Sequence, residues 1–213
     1  MNTNTKHAYI FDMDGTLVDS VYALENGVKS YLDSKNISYP ENIVEIITPL
    51  GYEGAAKYLQ SLGLDLPIDE ITAAMKNSMI AEYENSIPAK PHATELLHRL
   101  KDEGNILCVL TASPHFLTDP CLKRLGIDSL FAFIWSTDDF GLTKSDEKIY
   151  HEVAGKIGLD IEKCTFVDDN LINIRTAKKT GIGTVAIYDS TSAASADELK
   201  SIADKYIYSF DEF

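Results

Sequence analysis

The chain opens with a short apolar run, Ala8 to Phe11, that stops at two acids. From residue 105 onward the same texture returns in "NILCVLTAS", "FAFIWSTDD", "CTFVDDN" and "TVAIYDS". Each run is rich in β-branched or aromatic residues and ends in small polar or acidic ones, the signature of a short strand. Apolarity is continuous within each run instead of alternating, which fits strands covered on both faces. Helical periodicity fills most of the gaps. Leu96, Leu97 and Leu100 mark residues 92–103; Ile149, Val153 and Ile157 mark 145–158; Ile172, Ile174 and Ala177 mark 171–180. Strands alternating with helices predict an α/β fold, a Rossmann-like doubly wound parallel sheet.

Between Leu17 and about Pro88 the strand-like runs vanish. Amphipathic stretches replace them: Val21, Leu24, Val28 and Leu32, then "EGAAKYLQSL", then "PIDEITAAMKNSMIAEYE". The pattern predicts a helical domain, residues 18–87, inserted into a core made of residues 1–17 and 88–213. Its borders are the turn after Leu17 and the "IPAKPH" segment, residues 87–92, where two prolines break helix. The Ser/Ala cluster at residues 190–196 reads as a surface loop before a short helix and a terminal "YIYSF" strand.

Charge narrows the function. Among 213 residues, 19 Lys and Arg face 33 Asp and Glu, a net charge of −14, with the acids scattered along the chain. Nucleic acid is a poor partner for such a surface, because its affinity is built from Lys and Arg contacts to phosphates. An anionic substrate must instead be held by a few placed cations or by a metal ion. The "MNTNTKHAYIF" start lacks a long apolar core, and no segment approaches the roughly 18 apolar residues of a membrane span, so a cytoplasmic protein without a membrane partner is expected. Cys108, Cys121 and Cys164 form no CxxC pair, which suits free thiols, with Cys108 and Cys164 in core strands.

In open parallel sheets ligands bind beyond the carboxyl ends of the strands, so the polar residues ending each run should converge. They are Asp12 and Asp14, Thr111 and Ser113, Asp138 and Asp139, and Asp168, Asp169 and Asn170, with Lys144 shortly after the third run. Asp12, Asp14, Asp168 and Asp169 together resist joint ionisation unless a cation compensates them. With oxygen ligands and no nearby His or Cys, Mg²⁺ is favoured over zinc. The plainer reading of "DMDG" is a turn or a fragment of a calcium loop, but no EF-hand ligand ladder follows it.

These strand ends resemble, in order, the four motifs of the haloacid dehalogenase-like superfamily, and the helical insertion resembles the cap of its phosphoglycolate phosphatase and β-phosphoglucomutase branch. "FDMDGTL" is the specific element; the threonine, the lysine and the Asp pair gain value from order and spacing. The resemblance implies Asp12 as a nucleophile forming an aspartyl-phosphate, and Asp14 as general acid, then general base. It implies that Thr111, Ala112, Ser113 and Lys144 bind the phosphoryl group. It further implies that Asp12, the Asp14 carbonyl, Asp168 and Asp169 hold Mg²⁺. Phosphate monoesters need accelerations near ~10²¹, so charge neutralisation, positioning and a covalent step must act together.

Departures from the family pattern also appear. Lys144 stands in "LTKSDEKIY" without the usual following proline, and Lys148 is a possible substitute. Pro114 removes an amide near Thr111. Asp169 is the surer ligand of its pair, Asp168 acts directly or through water, and Asn173 stands behind them. His115 reads as solvent-facing or helix-starting, Asp138 and Asp139 as loop caps or outer shell of the metal, and Trp135 as core.

Asp14 selects phosphate ester chemistry, because the family's dehalogenases lack this acid and its phosphonatases carry a small residue there. From Val18 to Pro88 there is no Arg and no His, only four Lys against eleven acids. Gripping a second phosphate usually calls on arginine, which argues against a bisphosphate substrate. "TPLGYEGAAKYL", residues 48–59, resembles the cap loop facing the leaving group, with Gly51, Tyr52 and Lys57 as substrate contacts beside Glu53. The expectation is a magnesium-dependent phosphatase of a small phosphorylated metabolite, a monomer or small homo-oligomer. A β-phosphoglucomutase-like mutase and a non-catalytic binding or regulatory protein are the alternatives.

Overall fold

The computed structural model describes residues 6–47 and 50–213, without the side chains of Val21, Ala23 and Leu24. Thr48 and Pro49 of the 48–59 segment, and the Val21 and Leu24 side chains assigned above to a helical face, thus lie outside the described residues. In chain order the elements are β1 (Ala8–Phe11), α1 (Val21–Ser34), α2 (Ile43–Ile47), α3 (Gly51–Ser61), α4 (Ile68–Asn85), α5 (Ala93–Asp102) and β2 (Ile106–Thr111). There follow α6 (His115–Arg124), β3 (Phe133–Ser136), α7 (Glu147–Ile157), β4 (Cys164–Asp168), α8 (Leu171–Lys179), β5 (Gly183–Ile187), α9 (Ala196–Ile202) and β6 (Lys205–Ile207).

The chain divides into two compact units, one holding the residues up to Asp19 together with Pro88–Phe213, the other Ser20–Ile87. Val18 and Asp19 stay with the first unit because Val18 bridges to Ala89 and the Asp19 amide donates to the Pro88 carbonyl at 3.0 Å. The first unit is built on a six-stranded sheet of order β3-β2-β1-β4-β5-β6, parallel throughout. Strand residues alternate between faces. On one face Ala8, Ile10, Cys108, Leu110 and Phe166 pack with Ile149, Tyr150 and Val153 of α7 and Ile174 and Ala177 of α8. On the other, Tyr9 and Phe11 meet the rings of Phe213 and Phe210 at 5.5 and 6.4 Å. This is the α/β doubly wound core expected from the sequence. The chain leaves β1 toward β2 on one side and resumes with β4 on the other, so the topological switch, where such sheets bind ligands, falls at the carboxyl end of β1.

In the second unit α4 packs against α1 and α3. Val28, Leu32, Ile43, Ile47, Leu59, Leu64, Ile71 and Met75 close its core. Two helices escaped the sequence pattern. α2 is too short for periodicity to show, and α6 contains Pro120, a residue that ordinarily breaks helix. Ser190–Ser195, read above as loop, winds into 3-10 turns started by Asp189, whose carboxylate accepts from the Thr191 amide at 2.9 Å.

Candidate active site

Asp12 follows β1 directly, and its amide donates to the Val167 carbonyl at 2.8 Å, fixing it where β1 and β4 end side by side. A tight turn follows, with the Leu17 and Val18 amides donating to the Met13 carbonyl at 2.8 and 3.0 Å. Gly15 has a φ of +79°, and a Cβ there would come within 2.9 Å of Asp169 Oδ1. Only glycine combines that backbone with that approach. Buried Thr16 donates its hydroxyl to the same Asp169 oxygen at 3.3 Å.

Lys144 lies on the segment between β3 and α7, buried to 7% exposure. Its Nζ donates to Asp12 Oδ1 and, at 2.9 Å, to Asp168 Oδ2. The Tyr150 hydroxyl reaches from α7 to the Lys144 carbonyl at 2.7 Å and the Asn173 carbonyl at 3.1 Å, anchoring that segment to α8. Asn173 in turn gives its amide to both Asp168 oxygens, at 3.2 and 3.0 Å, and the Asn170 amide adds a bond to Oδ1 at 2.7 Å. Four donor contacts use the roughly four lone-pair directions of a carboxylate. Asp168 is therefore engaged in holding Lys144 and α8. Lys148 is exposed on α7.

Oxygens of Asp12, Asp168 and Asp169, all buried, lie within 4.8 Å of one another. Burial lifts the Asp12 carboxyl well above the usual carboxylate range, and Asp168, Asp169 and Asp14 add to this against the pull of Lys144. Burial, then Asp168 and Asp189, pushes Asp169 up to about 7. Burial alone would lower Lys144, but Asp12 and Asp168 outweigh it and hold the ammonium above its usual range. Three buried carboxylates share one lysine, and the excess negative charge suits a hard divalent cation with oxygen ligands. The donor set thus fits Mg²⁺.

On the β2 side, Thr111 is buried and its Oγ1 accepts from the Ser113 amide at 3.0 Å. The Ser113 hydroxyl donates to Asp14 Oδ2 at 2.6 Å, joining this loop to the acid two residues past Asp12. Ala112 is exposed between them, and Pro114 begins α6. His115 is the first residue of α6, with Asp119 at 3.1 Å and Asp139 at 2.9 Å. Asp139 and Ser136 form a capping box, so that acid caps a loop. Trp135 is half-buried, stacked on Phe133 at 4.6 Å.

Gly51, Tyr52 and Lys57 all belong to α3 of the second unit. Tyr52, 41% exposed, donates its hydroxyl to Met79 Sδ at 3.3 Å and has Lys76 over its ring; Lys57 pairs with Glu53 at 2.6 Å on an exposed face.

No local pattern announces the pair Lys90–Asp189, 2.7 Å apart with side chains 11% and 3% exposed. Lys90 had only marked a break between prolines, and Asp189 only a strand's end. Both residues add their charges to the field at Asp169. Thr16 and Tyr150 likewise carry no sequence signal of the contacts they make. No spacing rule announces a hydroxyl aimed at a distant carbonyl.

Residues 9–187 match the model of the haloacid dehalogenase-like hydrolase family. A phosphoglycolate phosphatase of Mannheimia succiniciproducens is 30% identical over 190 residues, covering 83% of each chain. The GMP/IMP nucleotidase YrfG of Escherichia coli is 30% identical over 185 residues, covering 81% of this chain and 78% of its own. Among solved structures, a Thermotoga maritima protein assigned as a β-phosphoglucomutase superposes with a TM-score of 0.82 at 20% identity, over 94% of this chain and 93% of its own, a likeness of fold. With the strand-end residues gathered as described, the chain belongs to the haloacid dehalogenase-like hydrolases, with a phosphoglycolate phosphatase among its similar proteins.

Proposed function

We propose that the protein is a magnesium-dependent phosphatase that hydrolyses a small phosphorylated metabolite through an aspartyl-phosphate on Asp12. The observation that carries this reading is the buried contact of Lys144 with Asp12 and Asp168. With Oδ1 held by the ammonium, Asp12 Oδ2 is the oxygen that attacks phosphorus. The bond from phosphorus to the ester oxygen then breaks, and Asp14 gives that oxygen its proton. In the second half Asp14 takes a proton from water, the water oxygen attacks phosphorus, and the bond to Asp12 breaks to release phosphate. The Ser113 hydroxyl orients Asp14 for both transfers, and Thr111, Ala112 and Ser113 form the loop that receives the phosphoryl oxygens.

Asp12, Asp169 and the Asp14 carbonyl would hold Mg²⁺, with Asp168 beside them contributing its charge and fixing Lys144. The ion supplies neutralisation of the charge that keeps a carboxylate from an anionic phosphate. Substrate choice belongs to the helical unit, Ser20–Ile87, which serves as the cap in this reading. Gly51, Tyr52 and Lys57 would contact the leaving group. The similar proteins named for phosphoglycolate and for GMP and IMP support the class of small phosphomonoesters without selecting a member. The absence of Arg and His from residues 18–88 weighs against a mutase, which must grip both ends of a bisphosphate.

The test is phosphate release from a panel of sugar phosphates, phosphoglycolate and nucleotides, with and without Mg²⁺. Asp12→Asn abolishes release on this account. Turnover that survives the change, or an isomerised sugar phosphate in place of free phosphate, overturns it.

A further inference from the structure

The loop that carries Ser113 and the segment that leads to Lys144 are joined by one histidine. β2 and β3 are paired up to Thr111 and Ser136, and beyond those residues the two connections separate. His115 opens α6, two residues after Ser113. Its Nε2 meets Asp139 Oδ2 at 2.9 Å, and that same oxygen accepts the Ser136 amide at 3.0 Å. Its Nδ1 meets Asp119 Oδ1, one turn along α6, at 3.1 Å. A neutral imidazole can donate from one nitrogen only. With a carboxylate at each nitrogen, both bonds exist together only for the imidazolium.

We propose that protonated His115 is a positioning residue for the reaction, clamping the Ser113 loop to the segment between β3 and Lys144. The inference rests on the phosphatase reading above. The charged groups facing the ring are Asp119 of its own helix and Asp139 of the segment after β3. Their bonds raise the His115 pKa above 6.5, although burial works the other way and a helix start disfavours a cation. Loss of the proton leaves one nitrogen to donate: the Nε2–H tautomer keeps only an uncharged bond to Asp139, and the Nδ1–H tautomer spends its donor on Asp119 within α6 and gives the tie to Asp139 up. Asp14, held by Ser113, and Lys144 then lose their common frame. The effect is expected chiefly in kcat, through the placement of Asp14 and Lys144, and less in KM, although the same loop receives the phosphoryl oxygens.

The experiment has two arms. In the first, the His115 C2 proton is titrated by NMR in the full chain, identified by its absence in His115→Gln. The pKa lies above 6.5 and falls in Asp139→Asn; a value at or below 6.5, or one that Asp139→Asn leaves in place, overturns the clamp whether or not the protein turns over any substrate. In the second, kcat and KM for an aryl phosphate are followed across pH with Mg²⁺. The wild type loses kcat as His115 deprotonates. His115→Gln is lower by about three- to tenfold below that pKa, the scale of a partly exposed charge-assisted bond, and lacks this pH limb. His115→Arg, permanently charged, keeps its activity past it. An unchanged limb in both variants overturns the positioning role, while a wild type that releases no phosphate from any substrate overturns the phosphatase reading and leaves the NMR result standing.

Discussion

The two units bury different things. In the helical unit, among the described residues, the buried side chains are apolar, and ion pairs such as Lys57–Glu53 lie on the surface at 59% and 73% exposure. In the sheet unit Asp12, Asp168, Asp169 and Asp189 are buried at or just past strand ends, and Lys144 on the segment after β3, beside an equally apolar core. Burying charge is a poor way to stabilise a fold, since desolvation consumes much of the Coulombic gain. The contrast therefore separates residues that hold the protein together from residues kept for chemistry.

Three substitutions test that contrast. The largest effect is expected at Lys144. Lys144→Met leaves Asp12 and Asp168 without their cation and lowers kcat for phosphate release by about 10²- to 10³-fold, the scale of one lost electrostatic donor. Circular dichroism checks that the variant is folded, and a loss below tenfold would mark Lys144 as structural.

Next comes Lys90. Lys90→Met strands the buried Asp189 carboxylate and costs roughly 3–5 kcal/mol in urea unfolding, as expected for breaking one side of a buried pair. Burial alone would raise the Asp189 carboxyl, but bonds from Lys90 and Thr191 hold it below its ordinary 3.8. A carboxyl depressed in the folded state stabilises above its unfolded pKa and loses that contribution as pH falls through the folded value. The wild type therefore loses stability on acidification below 3.8, and Lys90→Met loses less. Equal acid sensitivity in the two proteins would remove the pair from the account.

The smallest effect is at Lys57. Lys57→Ala leaves the urea midpoint unchanged, since exposed ion pairs contribute little. What changes is KM, unequally among substrates; identical KM values across the panel would take Lys57 out of the substrate contacts.

Much of the sheet unit was legible because its strands are unbroken apolar runs and its strand ends carry the acids. Asp12, Asp168 and Asp169 could be named from where each run stops, since parallel topology brings those stops together, whereas Lys144, shortly after the third run, could be named from the family resemblance, with Lys148 left open. The contacts that orient them were hidden. Ser113 and Asp14 are 99 residues apart, as are Lys90 and Asp189, and nothing in the local sequence pairs them. Nothing in the sequence singles out Tyr150, and only the fold shows its hydroxyl against Lys144 and Asn173. In the helical unit periodicity located the longer helices but not α2, whose five residues span little more than one turn.

The central claim is that Asp12 carries the phosphoryl group, and it can be read chemically. The enzyme is quenched during turnover with Mg²⁺ and substrate, reduced with borohydride, which converts an acyl phosphate into an alcohol, and digested for peptide mass analysis. Homoserine is expected at position 12 and unmodified aspartate at positions 14, 168 and 169. Reduction at another aspartate, or none at all during rapid turnover at a step where the phosphoenzyme accumulates, would contradict it.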